Sequence, residues 1–129
     1  MIARWVRPLF GLAALYDVTL GLLFFFAFGP IYAACLIALP NHNAYVQLPA
    51  ALTVIFGIGF AMVALDPERN RDIIRLGILM KLAFSLIVLS YAIRDAIPFM
   101  WVPLAWIDLG FAIAFIAADR AVRRAIARG

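Results

Sequence analysis

Three ionisable residues sit where a chain of this kind can least accommodate them. Asp17, Lys81 and Asp108 each interrupt an apolar run of the length, about 20 residues, that crosses a bilayer as a helix. An isolated charge at the centre of a bilayer costs about 2.5–3.5 kcal/mol on insertion scales, so such residues face one another or a polar cavity. Asp17 lies ten positions beyond Arg7, roughly 15 Å along a helix. Lys81 lies at a similar depth beyond the arginines that precede its run, and Asp108 falls near the middle of its own. The three are therefore expected to meet near the midplane, with Lys81 bridging two carboxylates. Such a group carries one formal negative charge and has the means to share one proton. It suits a proton relay, a pocket for a polar headgroup, or a structural clamp that fixes helix register.

The neighbours of these residues suggest how they are brought together. Ala13 and Gly21 lie four positions either side of Asp17. Gly77 and Ser85 do the same around Lys81, and Ala105 and Ala112 flank Asp108. Small residues on the polar face let helices approach closely, so these faces are expected to join the first, third and fourth spans. The candidate binding residues are Asp17, Lys81, Asp108 and Ser85. Ser85, Ser90 and Tyr91 offer a polar path outward from Lys81, although hydroxyls in membrane helices more often bond to a backbone carbonyl. Tyr16, Thr19 and Thr53 read as ordinary packing residues.

The rest of the chain supplies the helices that must position them. Hydrophobic residues make up 67% of the 129 and charged residues 14%, well below the quarter usual in soluble domains. A chain this short could not hide so much apolar surface in water. Four spans use up its length: about 8–28, 48–65, 73–93 and 99–118, as one transmembrane domain. Gly29-Pro30 and Pro40 bracket an apolar stretch too short to cross, so residues 29–47 are expected to form an outer excursion, partly helical and partly buried. Asp66 to Asp72 reads as a tight turn held by local ion pairs and caps.

Arginine placement orients the bundle. Arg4 and Arg7 flank the start, Arg69, Arg71 and Arg75 the central turn, and Arg120, Arg123, Arg124 and Arg128 the end; the other side holds only Arg94. Four spans put all three clusters on one side, which the positive-inside rule makes cytoplasmic. The expected fold is an all-α, four-helix transmembrane bundle with both termini in the cytoplasm, in a bacterial inner membrane. Tyr45, Trp101 and Trp106 are then expected at the outer interface and Trp5 at the inner one.

Several function classes drop out. The net charge is +4, but basic residues at span ends read as topology and contact with anionic lipid headgroups, not nucleic acid. The single cysteine, Cys35, forms no intrachain disulfide and reads as a small apolar residue. Ala33-Ala34-Cys35 does not make a convincing cleavage site after so long a run containing Asp17. His42 alone, in a loop, builds neither a metal site nor a haem ligand within a span. No phosphate loop, nucleophile elbow or metalloprotease motif is present, and no enzymatic centre or cofactor is expected.

Gln47-Leu48-Pro49 opens the second span, Asp66-Pro67-Glu68-Arg69-Asn70-Arg71 closes it, Gly77 and Lys81 lie in the third and Asp108 in the fourth. In these features the chain resembles small four-helix bacterial membrane proteins of the DoxX-like type. Span one differs, carrying Asp17 where that type has a lysine near the end of a glycine-rich run. The resemblance implies a four-helix fold and an accessory role beside a redox or other membrane complex. Three functions are therefore weighed: an accessory or structural subunit of a larger membrane complex, aided by the aromatic Phe24-Phe25-Phe26; a lipid-, quinone- or small-solute-binding protein or carrier built on Asp17, Lys81 and Asp108; and a membrane enzyme. Membrane lipids, a larger complex or a second copy are the expected partners. A cavity reaching the three charges favours binding, and a sealed group favours structure.

Overall fold

A computed structural model describes residues 1–129. Its helices are α1 (Val6–Phe26), α2 (Phe28–Ala34), α3 (Ala44–Leu65), α4 (Arg71–Ala92) and α5 (Trp101–Arg128). All but α2 are long and apolar enough to cross a membrane. The protein is an all-α, four-helix integral membrane bundle. Large apolar side chains such as Leu15, Ile55, Leu79 and Ile113 stand more than half exposed, a surface that suits hydrocarbon rather than water.

Local chemistry sets the breaks. Helix α1 stops at Phe26, earlier than the Gly29-Pro30 break expected from sequence. The reason is Pro30, which has no N–H for the Phe26 carbonyl and whose ring crowds that carbonyl. Ala27 leaves helical geometry at φ −126°, ψ 21°, and α2 begins at Phe28. Helix α3 begins at Ala44, ahead of the expected 48, and contains Pro49. His42 assists that start, its Nδ1 accepting from the Ala44 N–H at 3.1 Å. Pro49 cannot donate to the Tyr45 carbonyl. One turn later the Thr53 hydroxyl donates to the Pro49 carbonyl at 2.9 Å.

The turn after α3 is capped largely as expected, with one correction. Asp66 Oδ1 accepts from the Arg69 N–H at 3.1 Å, and the Asn70 side-chain amide donates to the carbonyls of Met62 and Asp66. Arg75 pairs with Asp72 at 2.9 Å. Arg71, however, is not paired locally. Its Nε reaches Asp119 Oδ1 on α5 at 2.8 Å, and its Nη2 reaches Oδ2 at 3.2 Å. A two-point guanidinium–carboxylate contact of this kind is geometrically specific. It clasps the first turn of α4 to α5.

The basic tail is also more structured than its charge suggests. Helix α5 continues past 118 to Arg128. Phe115, Ala118, Val122 and Ala125 remain buried, so the apolar stripe keeps its three- and four-residue spacing after the charges begin.

The long helices associate as two antiparallel pairs, α1 with α3 and α4 with α5. In the first pair the backbones almost touch. A Cβ added to Gly21 would lie 2.7 Å from the Ala50 carbonyl oxygen and 2.9 Å from the Val54 nitrogen. One added to Gly57 would lie 2.9 Å from the Val18 nitrogen. These glycines are needed for the approach. Gly21 therefore faces α3, a correction to the expectation that it joins α1 to the third and fourth spans. Gly77 does lie between pairs, where an added Cβ would strike Phe60 and Phe115.

Two hydrophobic cores result. One fills the end of the bundle that holds the arginines, with Phe10 stacked on Phe115 at 4.4 Å and Phe60 edge-on to Phe115 at 5.0 Å. The other, at the opposite end, is smaller: Phe24, Tyr32, Val46 and Ala50, closed by Trp101. Trp101 stacks on Phe24 at 5.3 Å, so the first residue of α5 packs on α1. Tyr32, from α2, is buried in the same core and ties the excursion to the bundle.

Candidate functional site

Asp17 comes from the middle of α1, Lys81 from α4 and Asp108 from α5. The two helix pairs meet there. Lys81 Nζ donates to Asp17 Oδ1 at 2.6 Å and to Asp108 Oδ1 at 2.9 Å. The first contact crosses between pairs and the second lies within one. Asp17 and Lys81 are each 1% exposed, and the Asp108 side chain is 9% exposed. Three of the four residues singled out by sequence therefore form one ion cluster.

The ammonium is also surrounded by aromatic faces. Its nitrogen lies 5.3 Å from the Tyr16 ring centroid, 5.2 Å from Phe111 and 5.8 Å from Phe60. Cations are attracted to ring faces at such distances, more strongly where water is excluded. Lys81 is thus held by two carboxylates and three rings. The carboxylates are not fully matched: Asp17 Oδ2 and the Tyr16 hydroxyl are buried with no hydrogen-bond partner. Buried polar atoms nearly always have one, and leaving one unmade costs about 1–3 kcal/mol.

A cavity of about 240 Å³ reaches this cluster. Asp17, Lys81, Asp108 and Tyr16 lie on one side of it, and Pro49, Thr53 and Phe56 of α3 on the other. Asp108 is the most exposed of the three charges that line it. A second cavity of about 260 Å³ lies towards the smaller core, against Phe24, Tyr32, Tyr45 and Trp101. Leu20, Pro49, Thr53 and Phe84 line both. The two adjoin as neighbouring lobes, one polar at the ion cluster and the other aromatic. They exist because α3 and α4 pack less closely than the helices within each pair.

Ser85 takes no part in this wall. It is fully buried and donates to the Ala105 carbonyl at 3.0 Å, which fastens α4 to α5. The polar path expected through Ser90 and Tyr91 does not form either. Ser90 is exposed and donates to the Ile87 carbonyl of its own helix at 2.8 Å. Tyr91 instead carries the Arg94 guanidinium over its ring at 4.7 Å. Both serines follow the usual habit of hydroxyls in apolar helices, bonding to the nearest carbonyl when no better acceptor is in reach.

Tyr16 and Thr53, read from sequence as packing residues, stand at the site. The position of Tyr16 next to Asp17 is a usable signal for the first. Nothing in the linear pattern marks Thr53, since its place depends on how α3 crosses α1. No group of three His, Cys, Asp or Glu side chains comes together to hold a metal ion. The chain matches no protein-family model, no curated protein and no solved structure.

Proposed function

We propose that this protein binds a bilayer-soluble small molecule, with a polar head at Asp17, Lys81 and Asp108 and an apolar body in the aromatic lobe. The observation that carries this reading is the cavity that meets the ion cluster. A clamp whose task is only to fix helix register has no need of one, and a cavity beside buried charges is costly to maintain. Mostly apolar walls with a few convergent polar groups are what a ligand site requires. The accessory-subunit reading, and with it the likeness to DoxX-type proteins, is supported by the small size and apolar surface of the chain. Neither feature accounts for the cavity.

The test is to purify the protein into lipid nanodiscs and identify by mass spectrometry the small molecules it retains. A near-stoichiometric amphiphile is expected, absent from empty nanodiscs. Thr53→Phe, which fills the junction of the lobes, should remove it while leaving the bundle folded. Retention of nothing but bulk lipid by both proteins would return the cluster to a structural role.

A further inference from the structure

The chemistry of the head site narrows the class of ligand. This step rests on the binding reading above. Two carboxylates face one ammonium, which leaves one formal negative charge in a region shielded from water. Lys81 has no further capacity to offset it, being shared between both carboxylates and enclosed by rings. No arginine or histidine lines either lobe. The other polar side chains that face the cluster are neutral. Tyr16 comes from α1 and Thr53 from α3; Ser85 of α4 is directed to a carbonyl. An uncompensated charge at this depth is expensive, so the site is completed by one positive charge, either a proton or the head of a ligand.

From this geometry we infer that the cavity takes a lipophilic ammonium ion, a primary amine on an apolar body, in exchange for a proton. The N–H donors have an acceptor in the Asp108 carboxylate, which lines the cavity and keeps some exposure. Asp108 is the most exposed of the three charges, and Asp17 Oδ2 is buried with no hydrogen-bond partner to offset its charge. Aromatic walls at the head site favour a cation over a neutral head: Tyr16 and Phe56 line the polar lobe. A neutral alcohol of the same shape satisfies one acceptor and cannot take the place of the proton. An anionic head is repelled. Exchange balances charge simply: one ammonium enters and one proton leaves.

The experiment compares dodecylammonium with dodecanol, which share a tail and differ in head charge. The full-length protein is placed in zwitterionic nanodiscs, with empty nanodiscs as the blank. Trp101 lines the aromatic lobe, and its emission, read in a Trp5→Phe, Trp106→Phe background, reports occupancy. Dodecylammonium is expected to bind at least about tenfold more tightly than dodecanol. Its affinity should rise with pH over the range in which the empty site holds its proton, approaching about tenfold per unit where one proton is released per cation bound. Asp108→Asn should abolish both the preference and the pH dependence. The comparison of the two ligands on the unaltered protein stands even if that variant does not fold. Equal binding of alcohol and amine overturns the cation inference and leaves the binding reading intact. Binding of neither overturns both. Preference for the amine without pH dependence overturns the exchange.

Discussion

The two halves of this bundle use the same residue types to opposite ends. In the half that carries the three arginine clusters, Phe10, Phe60 and Phe115 interlock and are fully buried. In the other half Phe24, Tyr32, Phe84 and Trp101 stand around an open space. Aromatic content does not separate them. The difference lies in how the helices are fastened. At the arginine end Arg71 grips Asp119, Arg7 Nη1 caps the Leu65 carbonyl at 2.8 Å, and α5 runs on to Arg128. At the far end α1 stops at Pro30's upstream turn, α3 starts early around Pro49, and α2 fills only part of the gap. The ion cluster lies at the seam. A polar group there holds the pairs together and forms the floor of the cavity at once.

The largest effect expected from breaking this arrangement is at Lys81. Lys81→Met leaves two carboxylates buried together and should cost about 3–5 kcal/mol of stability, read by unfolding in mixed micelles. Adding Asp17→Asn and Asp108→Asn should recover most of the loss. If the triple variant is less stable than Lys81→Met, the cluster is not governed by uncompensated charge.

Core truncation tests the two halves directly. Phe115→Ala, in the sealed half, should cost about 3–5 kcal/mol. Phe84→Ala, on the cavity wall, should cost roughly half of that or less, because one side of the ring already lacks packing partners. Equal losses, measured by the same unfolding assay, would erase the distinction between the halves.

The glycines sharpen the contrast with a change of sign. Gly57→Ala pushes a methyl into the Val18 backbone and should destabilise by about 1–3 kcal/mol. Gly110 meets nothing within 4 Å, so Gly110→Ala should be neutral or gain up to about 1 kcal/mol from helix propensity. The pair is checked by thermal denaturation in detergent. The smallest effect is at the arginine end. Arg71 and Asp119 are about one-fifth exposed, so a double-mutant cycle with Arg71→Gln and Asp119→Asn should give a coupling of about 1 kcal/mol or less. A coupling several times larger would make that clasp, not the ion cluster, the main fastening between α4 and α5.

Much of this was legible in the chain before folding. Hydropathy and length dictate four apolar helices, because only such helices satisfy backbone groups in hydrocarbon. The depth of Asp17, Lys81 and Asp108 along their helices requires that they find one another, since each alone is too costly to bury. Pro30 was visible as a break and Pro49 as part of the opening of the second span, though not where their effects would fall. A proline acts on the turn before it, which placed the break at Ala27 and left Pro49 inside α3. What only the tertiary structure decided is which faces meet. Gly21 flanks Asp17 in sequence yet packs on α3, and Ser85 flanks Lys81 yet serves the Ala105 carbonyl. Arg71 passes over its near neighbours for Asp119. The cavity is likewise absent from any linear pattern, because it is the space left where two tightly packed pairs fail to close on each other. Periodicity fixes the faces of one helix at a time; the gap between helices depends on all of them at once.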